Sequence, residues 1–146
     1  KLSKKRQEAL DLIDEDAESF NKVMKAYKMP KNTKEEKNKR KKAIQEGLYK
    51  ASLTPLDTMK LGLKLMEIAR EVISKSNPHA ISDIGVAGLM GISAIKGAYL
   101  NVLINTQSLN DKSKAEQLED EANKIITKGE KLLTEIEEIT ISKIKS

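Results

Sequence analysis

Any chemistry in this chain falls to carboxylates, amides, lysines and bound water, because its 146 residues include no cysteine and one histidine, His79. That inventory excludes a Ser-His-Asp triad, a thiolate nucleophile, a thiolate zinc site and a Glu-x-x-His di-iron pair within one chain. The most telling polar residues are Asp83, Asn101 and Asn105. They punctuate the stretch Asn77 to Asn105, NPHAISDIGVAGLMGISAIKGAYLNVLIN, in which Lys96 is the only charged side chain after Ile84. Elsewhere the chain is rich in charge, at 34% of residues. On a helix turning about 100° per residue, the three share a stripe roughly 80° wide with Ala87, Gly91, Ala94 and Ala98. Ile84, Leu89, Ile92, Ile95, Tyr99, Val102 and Leu103 take the remaining face. A helix apolar nearly all round is buried on all sides. The stretch therefore predicts a central helix with a small-residue seam, an acid at one end and two amides at the other. Buried polar groups need partners or a purpose, so the seam is expected to meet a ligand or a second subunit. Ser82 or Asp83 is expected to cap the start of the helix, where an acid is favoured by the helix dipole alone.

The elements that must position these residues also read as helices. Ala9, Ile13, Asp16 or Ala17, Phe20, Met24 and Tyr27 recur at three and four, giving an amphipathic helix ending near Met29-Pro30. Its acidic run, Asp11, Asp14, Glu15 and Asp16, reads as a solvated face and not as a metal site, with Asp16 nearest the apolar side. Thr33 and Glu36 have capping-box spacing and start a second helix, apolar at Ala43, Ile44, Leu48 and Ala51. Thr54-Pro55 looks like a restart, with Thr54 as cap and Pro55 at the first helical position. Leu56, Met59, Leu63, Met66, Ala69 and Ile73 then form a third helix running to about Lys75, and Ser76-Asn77-Pro78 breaks the chain. After the central helix, Ala115, Leu118, Ala122, Ile125, Gly129, Leu132, Ile136 and Ile139 make the seam of a last helix, capped at Asn110 or Asp111. No strand alternation and no Gly-rich phosphate loop occurs. The expected architecture is all-α, one domain over 1–146 with about five helices around the small-residue-rich central one.

Charge and hydropathy narrow the partners. A net charge of +5 favours anionic ones. The Lys31 to Lys42 run is interleaved with Glu35 and Glu36, and only 3% of residues are aromatic, which argues against nucleic acid. The central stretch has the length of a membrane span, but Lys96 near mid-bilayer would cost about 2.5–3.5 kcal/mol, so no membrane is expected. The start KLSKKRQEALDLIDED lacks the pattern of a signal peptide, which suits the cytoplasm. Because the chain opens on Lys1, a fragment or a chain without its natural start is expected.

Four segments in order carry a resemblance: DEDAESFNKVMKAY (Asp14 to Tyr27), MPKNTKEEKNKRKKAIQ (Met29 to Gln45), NPHAISDIGVA (Asn77 to Ala87) and GAYLNVLIN (Gly97 to Asn105). Together, with S-D-x-G-V-A and N-V-x-I-N, they resemble the formimidoyltetrahydrofolate cyclodeaminase and methenyltetrahydrofolate cyclohydrolase family over residues 8 to about 111. The resemblance implies an all-α, cytoplasmic, homodimeric enzyme of folate one-carbon metabolism. Such an enzyme closes 5-formiminotetrahydrofolate to the 5,10-methenyl form with release of ammonia, or hydrolyses or forms the methenyl bridge. No cofactor or metal is implied beyond the tetrahydrofolate substrate. In that setting Asp83, Asn101 and Asn105 are the expected catalytic set, with Asp83 as acid/base or pterin acceptor and the amides orienting substrate or water. Ser82 and Asp16 are expected to bind substrate, and Lys31, Arg40 and Lys42 to attract its glutamate tail, which can be polymeric. The family's glycine-rich, serine-containing N-terminal segment has no match here, so the domain is expected to lack that part. The competing expectation is a non-catalytic helical dimerisation module or a folate-binding partner subunit.

Overall fold

The computed structural model describes residues 2–145 and contains four α-helices among them: α1 (Leu2–Tyr27), α2 (Lys34–Ile73), α3 (Ile81–Gln107) and α4 (Lys112–Lys145). A single 3-10 turn, Pro78–Ala80, precedes α3. The second and third helices expected from the sequence are one continuous helix of 40 residues, about 60 Å long at 1.5 Å per residue. Pro55 lies inside it and does not begin a new one. Proline removes the N–H that should bond to the carbonyl four residues back, here that of Ala51. The side-chain amide of Asn105 on α3 supplies the missing donor, 2.9 Å from the Ala51 oxygen. Thr54, expected to be a cap, is a buried helix-interior residue whose hydroxyl lies 3.4 Å from that of Ser19.

The start of α2 follows its capping box. Glu36 N–H donates to Thr33 Oγ1 at 3.1 Å, and Glu36 Oε2 accepts from the N–H groups of Thr33 and Asn32 at 3.1 and 2.8 Å. Asp111 caps α4 as expected, accepting from Lys114 N–H at 3.1 Å. At α3 the expectation fails, because Ala80 occupies the cap position with no side-chain bond, and Asn77 instead accepts from His79 N–H in the 3-10 turn. Gln45 of α2 grips the α3–α4 connection through Ser108 O and Asn110 N–H.

The core lies where α2, α3 and α4 meet. Met59, Met66, Ile73, Ile95, Val102, Ala122 and Ile136 are fully excluded from solvent there. Burying each of the Met, Ile and Val side chains is worth about 1.5–3 kcal/mol. Glycines set the spacing: a methyl on Gly88 would come within 3.1 Å of Ile136, and one on Gly129 within 3.0 Å of Ile92. Ion pairs tie the rims, with Arg70 to Glu135 at 2.8 Å, Lys60 to Glu121 at 3.0 Å and Lys96 to Glu130 at 2.7 Å.

Two faces depart from the sequence pattern. The central helix α3 is not buried on all sides. Its buried face is Ile81, Gly85, Gly88, Ile92, Ile95, Ala98, Val102 and Thr106, while Val86, Met90, Leu100 and Ile104 stand in solvent at 52 to 69% exposure. By length and composition α3 passes as a membrane span, and its buried face packs in the bundle. In α1 only Val23 and Ala26 are buried; Ile13, Phe20, Met24 and Tyr27, expected to face the core, are exposed. A continuous apolar stripe does not say what covers it, and here each stripe borders open space.

Candidate functional site

The small-residue stripe of α3 forms the floor of a trough made of three successive hollows. The first, about 540 Å³, lies between the second half of α2 (Gly62, Leu65, Ile68, Ala69, Val72) and Asp83, Ile84, Ala87, Met90, Gly91 and Ala94 of α3. Among the described residues, Asp83 is the only ionisable side chain lining it. The second, about 340 Å³, is bounded by Ala9, Leu12, Ile13 and Asp16 of α1, Pro55, Thr58 and Leu61 of α2, and Ala94, Ala98 and Asn101 of α3. The third, about 370 Å³, is bounded by Asp16, Phe20, Met24 and Tyr27 of α1, Ala51 of α2, and Asn101, Ile104 and Asn105 of α3. Ala94 belongs to the first two hollows, and Asp16 and Asn101 to the last two, so the trough is continuous.

This geometry groups the expected site residues in a new way. Asp16, Asn101 and Asn105 converge on one end of the trough. Asp83 sits at the other end in the first turn of α3, 18 positions and about 27 Å of helix from Asn101. Ser82 is exposed beside it. The residue types at the crowded end can recognise a heterocycle. A carboxylate accepts two hydrogen bonds side by side, and each amide offers one acceptor and two donors. Asn105 is partly committed, since its N–H group is spent on Ala51 O. Its oxygen and its second N–H remain uncommitted.

Of the basic residues, Arg40 is tied to the same end. Arg40 donates twice to Tyr27 O, at 3.2 and 3.1 Å, and its guanidinium lies 5.7 Å from the centre of the Tyr27 ring. It therefore closes the C-terminus of α1 onto α2, satisfying a carbonyl that a helix end leaves open. Lys31 is exposed on the α1–α2 connection, and Lys42 is exposed on α2 with Glu46 3.9 Å away. Because Tyr27 lines the third hollow, the Arg40 guanidinium stands next to that end of the trough. Among the described residues no three His, Asp or Glu side chains are grouped closely enough to hold a metal ion.

Pro55, Thr58 and Tyr27 line the trough without having been expected in the site. A signal for Pro55 was present: a proline four residues after Ala51 orphans a carbonyl if the helix runs through. Nothing local announced that Asn105, 54 positions later, would answer it.

Comparison with known proteins gives a consistent set of relatives. A protein-family model described as formiminotransferase-cyclodeaminase matches residues 1–124. The chain is 37% identical over 133 residues to a methenyltetrahydrofolate cyclohydrolase of Methylorubrum extorquens, covering 91% of this chain and 64% of that protein. It is 38% identical over 100 residues to the formimidoyltransferase-cyclodeaminase of Mus musculus, covering 68% of this chain and 18% of that protein. The chain thus spans just under two thirds of the length of the first relative and under a fifth of the second. In three dimensions it is similar to the crystal structure of formiminotetrahydrofolate cyclodeaminase from Thermotoga maritima. The TM-score is 0.83 at 23% identity, over 96% of this chain and 66% of the other, a likeness of fold.

Proposed function

Because the chain belongs to the formiminotransferase-cyclodeaminase family, we propose that it acts in folate one-carbon metabolism, on tetrahydrofolate whose one-carbon unit is joined to, or bridges, N5 and N10. The observation that carries this reading is the meeting of one carboxylate and two amides, Asp16, Asn101 and Asn105, at one end of a trough whose other lining is mostly apolar. A flat pterin fits such walls, and its amidine-like edge donates to a carboxylate. In the cyclodeaminase direction N10 attacks the formimino carbon and loses its proton. The imino nitrogen gains protons and leaves as ammonia. In the cyclohydrolase direction water adds to the methenyl carbon, a proton is lost, and one C–N bond breaks to leave a formyl group. Either path needs a proton acceptor and donor beside a tetrahedral carbon and fixed dipoles to orient the attacking nitrogen or water. Asp16 is suited to the first task, and Asn101 with the oxygen of Asn105 to the second. The Lys31, Arg40 and Lys42 rim suits the anionic glutamate tail, single or polymeric. No metal or cofactor is assigned to these steps, and the cytoplasm is the compartment where such substrates and a cysteine-free chain agree.

A homodimer belongs to the same proposal, and the exposed face of α3 supports it. Val86, Met90, Ser93, Gly97, Leu100 and Ile104 follow one another at four and three, the spacing of a helix–helix seam. All six are exposed. The pattern is symmetric about Ile95: large residues pair with large ones outside, and Ser93 pairs with Gly97 at the centre. A second copy laid antiparallel on the first would match each residue with its counterpart, as a two-fold interface requires. It would also carry Asp83 of the partner subunit to the level of Gln107, on the same side as Asn105. Asp83, remote within one chain, would then join the amide end of the trough across the interface and regain the acid/base or pterin-binding role.

Calorimetric titration with 5-formyltetrahydrofolate, alongside an ultraviolet assay for the methenyl form, tests the function. Binding with turnover is expected, and comparing formimino with methenyl substrate separates the two reactions. Asp16→Asn and Asp83→Asn are each expected to lower turnover in a folded protein. A folded dimer that binds no folate would refute the enzymatic reading and leave the alternative favoured by the α3 face, a non-catalytic dimerisation module.

A further inference from the structure

We infer that Pro55 is a positioning residue: by withholding an N–H from the Ala51 carbonyl, it captures the Asn105 amide and fixes which end of that amide faces ligand. The inference rests on the folate-binding role proposed above for Asn105. A helix running through Pro55 leaves Ala51 O without its usual donor, and the ring presses against that same carbonyl. Asn105 Nδ2 bonds to it at 2.9 Å. An amide has chemically distinct ends, and a carbonyl can accept only from its NH2 group. The bond therefore excludes the flipped orientation and leaves Oδ1 as the acceptor offered to the hollow shared with Asp16 and Asn101. Any other residue at position 55 would restore the main-chain bond, release the Asn105 side chain and let both orientations populate.

The test uses the whole chain with Pro55→Ala, Asn105→Ala and the double variant. Alanine is the better helix former, so Pro55→Ala is expected to fold and to melt at higher temperature. The Asn105 side-chain amide, assigned in NMR spectra by its loss in Asn105→Ala, is expected to exchange with solvent at least about 10-fold faster in Pro55→Ala. Affinity for 5-formyltetrahydrofolate is expected to fall about 3- to 10-fold, the scale of one hydrogen bond. The double variant should bind no more weakly than Asn105→Ala alone, because the first substitution acts only through the second. A merely structural proline would raise the melting temperature and leave affinity unchanged, which overturns the inference. Additive losses or an unaltered amide exchange rate overturn it too. If the unaltered protein binds no folate, the functional reading fails separately, and the exchange rate alone decides whether Pro55 holds the amide.

Discussion

Helices α2 and α3 cross where two glycines face each other, and their substitution measures how tightly the trough floor is built. A methyl on Gly62 would lie 2.9 Å from Ile95 Cγ1 and 3.5 Å from Gly91 O; one on Gly91 would lie 2.5 Å from Met66 Cγ. Ile95 and Met66 are both fully buried, so neither has room to retreat. Two terms oppose. Gly→Ala within a helix gains about 0.8–1.0 kcal/mol from propensity, whereas overpacking a filled core costs about 1–3 kcal/mol. The net for Gly62→Ala or Gly91→Ala is a loss of about 0–2 kcal/mol. For a chain of this size the unfolding entropy makes 1 kcal/mol worth about 3 °C, so the melting temperature should fall by up to about 6 °C. Once one methyl has spread the helices, the second enters at less cost. The double variant should therefore lose at least about 0.5 kcal/mol less than the sum of the singles. Thermal and urea unfolding of the three variants decide the matter. If both single variants gain about 3 °C, propensity alone governs and the close crossing has no energetic weight. Strict additivity would likewise refute a shared contact.

Other perturbations probe other parts. Gly97→Leu is expected to leave the fold intact, because nothing lies within 4 Å of a methyl there, and to raise the dissociation constant of the dimer in sedimentation equilibrium; an unchanged constant removes the α3 seam. Thr33→Ala should cost about 0.5–2 kcal/mol by opening the capping box, read as a lower urea midpoint with unchanged slope. Burial pulls the Lys60 ammonium down, but hydrogen bonds from it to Glu121 and Asp57 outweigh that and leave its pKa raised above 10.5. A raised pKa stabilises the fold below the unfolded value and loses that contribution as pH climbs through the folded one. The difference between Lys60→Met and the unaltered protein should thus be under about 1 kcal/mol, flat through neutral pH, and begin to shrink only as pH climbs past about 10.5.

What the sequence disclosed, and what it hid, divides along the range of the interactions. Thr33 with Glu36, and Asp111 before α4, are local devices complete within a turn, and both appear as their spacing predicts. The α4 seam is legible because one face alone is apolar, so only one packing direction exists. Pro55 misled because the group that excuses it comes from another helix. The α3 and α1 stripes misled for a different reason. Apolar periodicity reports a preference for burial, and residues such as Phe20, Leu100 and Ile104 carry it while remaining exposed. The candidate site was legible as a stripe on one helix but not as a place. Asp83 stands at one end of the shared face and Asn101 and Asn105 at the other, as the sequence places them, but the walls around each end come from α1 and α2 and carry no local signal. Asp16 was recognised only as the acid nearest the apolar side, and its arrival beside Asn101 is tertiary.

The uneven anchoring of α1 has a consequence for how the protein breathes. This helix contributes two buried side chains, Val23 and Ala26, both in its last two turns, where Arg40 also fastens it and Gly47 lets Val23 approach α2. Its first fifteen residues are held chiefly by their own backbone ladder. Amide hydrogens there should exchange through openings that leave the α2–α3–α4 core closed, so α1 behaves as a separate cooperative unit hinged at its C-terminus. Asp16, Ile13 and Leu12 ride on that unit. The wall of the trough that carries the carboxylate can therefore swing while the wall that carries the amides stays still, and access for a bulky heterocycle becomes a matter of opening rate and not of static width.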